Sequence, residues 1–415
     1  MEGIFNPFAL MSSRIKYTVV SASACLTVLL LIGTVLGQGA SQDDTYKHLG
    51  VFTDVVSRIK SEYVEEPDMK SVTLGALNGM LEAIDPFASY LNADQYKDYL
   101  KNRDVRRSDV GLILSKKFGY VAVVGVVPGS PASKAGFSTN DMIETIKGIA
   151  TRDMPLAYAN LLLQGDPGSS VELSVVRVQR PEPQTVKLVR ANSVDLPVED
   201  RLLAGQAGYL KPGALTSATL RETAADIDRL QKQGAQKLIL DLRNTAVGSP
   251  QDGVGLANLF LSKGRLTYLQ GQRVPRQNFD ADSSKTVTSL PLVVLTNRGT
   301  ADGAEVAAAA LQDNKRAQLV GERTYGDASL RRAITMDDGG AIILSVAKYY
   351  SADGKAIQDN GVTPGTLVAE AEPAPEVDDN GEPLTAPSQP PQQPQKKLED
   401  DPVVKKALEL PGGKP

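Results

Sequence analysis

Asp302 and Glu305 place two carboxyl groups, three residues apart, at the expected start of a helix. Asp302 stands where an N-cap belongs and Glu305 follows at capping-box spacing. The N–H groups of a helix start can hold an oxyanion, and a strand, a tight turn and a helix start together commonly seat a nucleophile. A carboxylate, however, is a poor nucleophile for acyl transfer, where a hydroxyl or thiol activated by a base is required. The chain of 415 residues has one Cys and one His, Cys25 and His48, both far in sequence from this stretch. Those counts exclude an intrachain disulfide and argue against a Ser-His-Asp triad, a Cys-His dyad and a zinc site built on several His or Cys. No metal or cofactor is expected.

The elements that position Asp302 are readable from the pattern around it. The apolar run Leu292–Leu295, between Pro291 and Thr296, predicts a buried strand. A turn follows at Asn297–Gly299, then an Ala-rich helix over Gly303–Leu311. A second strand, Gln318–Val320, runs into the polar loop Gly321–Asp327. Upstream, Thr219–Gln233 predicts an amphipathic helix, Lys237–Leu242 a buried strand, and Val254–Leu261 a further helix. Ala341–Tyr350 predicts a long strand. Composition is that of a globular protein, 41% hydrophobic and 23% charged, with room for two or three domains. A net charge of −4 and a pI near 5.4 argue against nucleic acid as a partner.

This core resembles the carboxyl-terminal processing peptidases, serine peptidases with a Ser/Lys dyad and a PDZ domain. Members carry N-R-x-S-A-S-A-S-E-I, the middle Ser being the nucleophile; here residues 297–306 are NRGTADGAEV, with Asp302 at that position. The family's G-E-x-T-F-G-K-G-x-x-Q supplies the Lys base and a Gln that orients it. Here residues 321–331 are GERTYGDASLR, so the resemblance puts Asp327 at the base position and Arg331 at the orienting one. The family's L-R-x-N-x-G-G turn, whose first Gly supplies an oxyanion N–H, corresponds to residues 242–248, with Val247 in place of that Gly and Gly248 after it. Gly303 follows the nucleophile position and completes this expected oxyanion turn. A β-branched Val disfavours positive φ, so the turn is expected to differ from the family's. Residues 81–91 resemble the L-D-P-H-S-x-Y-L signature with Phe87 in place of His, and Phe87, Tyr90 and Leu91 are expected to pack onto the core.

Residues 105–190 resemble a PDZ domain: Pro128–Gly136, Asn140–Ile143, Ile146–Gly148 and Gly168–Leu173 match its motifs in order. Val110, Gly111, Leu112 and Ile113 stand where the carboxylate-binding loop and its strand begin, which implies capture of protein C-terminal peptides as an added strand. Asp109 adds a negative charge beside that loop.

The fold expected is thus mixed α/β: a peptidase-like core at 194–368 with an inserted β-rich PDZ domain, preceded by a helical region at 43–104. Residues 17–37 carry no charge, are long enough to span a bilayer, and follow Arg14 and Lys16. They are expected to form a single transmembrane helix, with residues 1–16 cytoplasmic and the bulk of the chain on the extracytoplasmic, periplasmic side of the cell membrane. A cleaved signal peptide is the alternative. Residues 370–415, rich in Pro, Glu, Asp and Gln, predict a disordered tail with a short helix near its end.

Two functional readings follow. One is a membrane-anchored homologue, proteolytically inactive, that binds peptide tails through its PDZ domain, alone or assembled with copies or active relatives. The other is an active endopeptidase with a non-standard centre. If Asp302 and Asp327 meet as Ser and Lys would, they either share a proton, hold a divalent cation, or are neutralised by Arg331.

Overall fold

The computed structural model describes residues 41–102, 108–152, 154–177, 180–192, 197–370 and 397–413, with Tyr17, Thr18, Ser21 and Thr27. The expected membrane span at 17–37 otherwise lies outside the described residues. Among the described residues no helix is long and apolar enough to cross a membrane.

The chain divides into two units, Met1–Thr73 and Leu74–Pro415. The first contains helix α1 (Ser41–Glu62), held by Arg58 between Asp54 and Glu62 at i,i+4 spacing. Helix α2 (Met69–Glu82) begins in the first unit and ends in the second.

The second unit contains three sheets. Strand β1 (Ser89–Leu91) interrupts a region expected to be helical; three residues are too few to show a period, and the strand exists because it pairs with β16, Ser89 opposite Ile343. Helix α3 (Ala93–Asn102) follows. The PDZ sheet comprises β2 (Leu112–Lys117), β3 (Tyr120–Val126), β4 (Met142–Ile146), β5 (Ile149–Ala150), β6 (Ser170–Arg177) and β7 (Arg180–Val189). Its order is β2-β3-β4-β6-β7, with β5 beside β4, so β2 is an edge strand. Helix α4 (Pro131–Lys134) is capped by Ser130, whose hydroxyl accepts from the Ser133 N–H. Helix α5 (Leu156–Leu163) closes the barrel over Val110, Leu114, Ile143 and Leu173.

The core sheet contains β8 (Glu199–Leu203), β9 (Ala207–Lys211), β10 (Lys237–Asp241), β13 (Leu292–Thr296), β14 (Ala317–Gly321) and β17 (Thr366–Leu367), in the order β17-β14-β13-β10-β9-β8. All its pairs are parallel except β8 with β9. Parallel strands are covered on both faces and so are apolar throughout. Leu238, Leu240, Leu292 and Val294 join the cluster built with α6 (Ser217–Lys232), α7 (Pro250–Asn258) and α8 (Gly303–Asp313). Alternate residues Ile239, Val293, Leu295 and Val320 join the cluster of Val403, Val404 and Ala407 on α9 (Pro402–Glu409). The third sheet runs β1-β16-β11-β12, with β11 (Arg265–Gln270), β12 (Gln277–Asp280), β16 (Ala341–Ser351) and, beside β16, β15 (Ser329–Thr335).

Helix α7 begins four residues earlier than the hydrophobic pattern predicts. Ser249 accepts from the Asp252 N–H, Asp252 accepts from the Ser249 N–H, and Pro250 sits at N1. At the other end, Glu370 is no free tail residue: its carboxylate takes hydrogen bonds from Asn297 and Arg243. Arg243 also pairs with buried Asp241 and, at 2.8 Å, with Asp401 at the head of α9.

Candidate functional site

The site is built where β13 ends, α8 begins and the loop after β14 returns across it. Asp302 has φ 52 and ψ −117, a backbone state that costs a non-Gly residue about 1–3 kcal/mol. The bend turns the chain from β13 into α8. The expected capping box forms at the head of α8, where the Asp302 N–H donates to the Glu305 carboxylate at 3.1 Å.

Glu305 is the hub. It is fully buried and takes the N–H groups of Gly326 and Asp327 at 2.7 Å each. It also accepts from the Thr324 hydroxyl, which in turn accepts from the Val362 N–H. These bonds clamp the 324–327 loop to the first turn of α8 and deliver Asp327 to the cleft. Burial pushes the Glu305 carboxyl up to about 7, against the hydrogen bonds that favour its charged form.

Asp327 and Arg331 form an ion pair across one turn of chain, their side chains 14% and 29% exposed. The guanidinium carbon lies 4.2 Å from the centroid of the Phe87 ring. Burial raises the Asp302 carboxyl well above its ordinary range and Asp327 raises it further, with Arg331 opposing. Burial also raises Asp327, and Arg331 offsets part of that. The three positions singled out by the resemblance therefore form one electrostatic unit. Among the described residues no group of three or more His, Cys, Asp or Glu is placed to hold a metal ion.

The turn at 242–248 places its positive φ away from Val247. Positive φ occurs at Asn244 and at Gly248, φ 137, and Val247 is not among the positive-φ residues. The β-branch at 247 thus meets no steric objection, and its carbonyl accepts from the Leu215 N–H at 2.7 Å. Gly248 is the position that needs glycine, since a Cβ there would fall 2.5 Å from the Leu215 Cβ. Gly303 opens α8 against this same turn, beside the Ser249 carbonyl.

The PDZ domain lies directly on this assembly. A Cβ on Gly125 of β3 would come within 3.0 Å of the Ala246 Cβ, so the missing side chain is what lets the strand lie flush. Tyr325 packs edge-on to Phe87, ring centroids 5.8 Å apart, against the PDZ core. Leu112 and Ile113 line a cavity of about 380 Å³ together with Leu114, Leu156, Asn160 and Leu161, and the same cavity reaches Asp327 and Arg331. Val110, expected in the groove, is instead wholly inside the PDZ core. Gly111 sits in the loop with φ 78.

A parallel α/β core that bends sharply from strand into helix, with a PDZ barrel against the bend, defines a peptidase scaffold of the C-terminal processing type. The chain belongs to peptidase family S41. That family's model matches residues 206–368, and a PDZ domain model matches 123–177. The carboxy-terminal-processing protease of Bartonella bacilliformis is 31% identical over 341 residues, covering 80% of this chain and 78% of that one. The carboxy-terminal processing protease CtpA of Bacillus subtilis is 30% identical, covering 84% and 74%. Among solved structures, a photosystem II D1 C-terminal processing protease superposes with a TM-score of 0.63 at 28% identity, covering 77% of this chain and 92% of that one.

Proposed function

We propose that this chain binds peptide tails without cleaving them, held on the extracytoplasmic face of a membrane by residues 17–37. The observation that carries the reading is the occupancy of the bend. Asp302 presents a carboxyl where acyl transfer needs a hydroxyl, and Asp327 is tied to Arg331 where a free amine or imidazole would serve as base. The free edge of β2 and the apolar walls of α5 support binding of an extended peptide.

A second reading has one observation in its favour. Asp302 is pushed toward its protonated form beside an Asp327 whose ionised form Arg331 supports, and two carboxyls held apart in this way are an acid/base pair. One experiment separates the two. Full-length protein in detergent is incubated with casein and with tailed unstructured peptides, and products are followed by mass spectrometry. No cleavage beyond the Asp302→Ala background is expected. Specific cleavage lost in both Asp302→Ala and Asp327→Ala overturns the first reading in favour of the second.

A further inference from the structure

Arg331 uses only part of its hydrogen-bonding capacity on Asp327. Its Nη2 makes that contact, while its Nε is buried with no acceptor. A guanidinium has five N–H donors in a fixed fork, made for two carboxylate oxygens. The side chain also lines the cavity whose other walls are Leu112, Ile113 and Leu114 of β2 and Leu156, Asn160 and Leu161 of α5. That is the groove into which a peptide adds as a strand, because among the described residues β2 pairs with β3 alone.

The groove's own carboxylate-binding loop is already engaged. The Gly111 N–H donates to Asp109 Oδ1 at 2.8 Å, so a carboxylate of the chain itself occupies the donor that a peptide terminus would use. An incoming terminus meets a taken N–H on the loop and an incompletely satisfied cation on the core.

We propose that Arg331, on the peptidase-like core, is the anchor for the C-terminal carboxylate of a peptide lying in the PDZ groove, in place of the Gly111 loop. The inference rests on the tail-binding reading and adds the residue that reads the free terminus. Arg331 holds Asp327 through its Nη2 while the same side chain lines the groove, so the Asp327 charge is met by the guanidinium rather than left to face the ligand alone. Arg331 therefore bridges Asp327 and the ligand rather than exchanging one for the other. The apolar groove walls select apolar side chains at the peptide's end.

The test uses full-length protein in detergent and a fluorescein-labelled decapeptide pool with apolar residues at the last three positions. The pool is made once as free acids and once as C-terminal amides, and binding is read by anisotropy. Wild type is expected to prefer the acids by about tenfold. Arg331→Met removes the preference while binding of the amides stays unchanged. The double variant Asp327→Asn/Arg331→Met carries no orphaned carboxylate at 327 and shows the same loss, which covers the case where the single variant fails to fold. Asp109→Asn leaves the preference intact. If acid preference survives in both Arg331 variants, or rises in Asp109→Asn, the Gly111 loop reads the terminus and the inference falls. If wild type binds neither pool, the tail-binding reading itself falls, and this inference with it.

Discussion

Arg331→Met tests whether the acidic cluster depends on its cation. The change keeps the aliphatic stem but removes the charge from Asp327 and from the face of Phe87. Breaking a buried ion pair on one side costs about 3–5 kcal/mol, and the partial exposure of Arg331 places this pair at the lower end. Protonation of Asp327 also sets a ceiling. A carboxyl with an ordinary value of 3.8 can always escape by taking a proton, at about 1.4 kcal/mol per pH unit above that value. Because Asp327 is already raised with Arg331 present, the ceiling lies below about 4 kcal/mol at pH 7 and below about 1.5 kcal/mol at pH 5. Loss of the contact with Phe87 adds about 1 kcal/mol at either pH. The expected destabilisation is about 3–4 kcal/mol at pH 7, falling to about 2 kcal/mol at pH 5. The sign follows from the direction of the shift: removing Arg331 raises the folded-state value of Asp327 further, and stability so affected is present at low pH and lost as pH rises. Urea unfolding of wild type, Arg331→Met, Asp327→Asn and the double variant at the two pH values measures both the cost and the coupling. A cost under about 0.5 kcal/mol, or one equal at pH 5 and 7, would refute the reasoning, because an exposed and screened pair behaves that way.

Three further outcomes are expected. Glu305, raised from 4.5 to about 7, contributes stability that is present below pH 4.5 and declines as pH rises through 7. Glu305→Gln flattens that part of the urea midpoint against pH, and it costs about 2–3 kcal/mol because an amide NH₂ then faces the Gly326 or Asp327 N–H. Asp302→Gly relieves the positive φ and removes a buried acid, so the melting temperature at pH 7 rises, by an amount worth about 1–2 kcal/mol; a lower value would mean that the bend is held without strain. Truncation after Glu370 strips Val403, Val404 and Ala407 from the sheet, a loss of about 4–6 kcal/mol in burial, and a dye for exposed apolar surface should bind the truncated protein but not the full chain.

Much of the core was open to reading because its strands and helices have local signatures. The run at 292–295 is apolar at every position and becomes the central parallel strand β13. The spacing that aligns Asp302, Asp327 and Arg331 with a known motif brings them together in space. What local pattern did not show is what acts across long sequence distances. Glu305 was visible as a helix-start residue, yet its partners at 324–327 are 19 to 22 residues away. Phe87 was assigned to core packing, and its contact with Arg331 spans the junction of two domains. Val247 avoids positive φ, as its β-branch requires, and the turn takes its positive φ at Asn244 and Gly248. The start of α7 is signalled by Ser249, Pro250 and Asp252, a capping pattern that lies ahead of the helix's apolar stripe.

Arg243 ties Glu370 and Asp401 to one guanidinium, and the two residues lie 31 apart in sequence. One cation thus links the end of the core to the head of α9. Cleavage of the chain between Glu370 and Lys397 tests how firmly the helix is held. A cut there leaves α9 bound as a separate peptide. The two fragments are then joined by Arg243, by the apolar face of α9, by the bonds that Lys237 donates to the carbonyl groups of Ala407, Leu408 and Leu410, by the paired backbones of Leu292 and Gly413, and by the Arg316 bond to the Gly413 carbonyl. Such a nicked protein is a ready-made complementation pair, in which the affinity of α9 for the sheet becomes a quantity that depends on concentration.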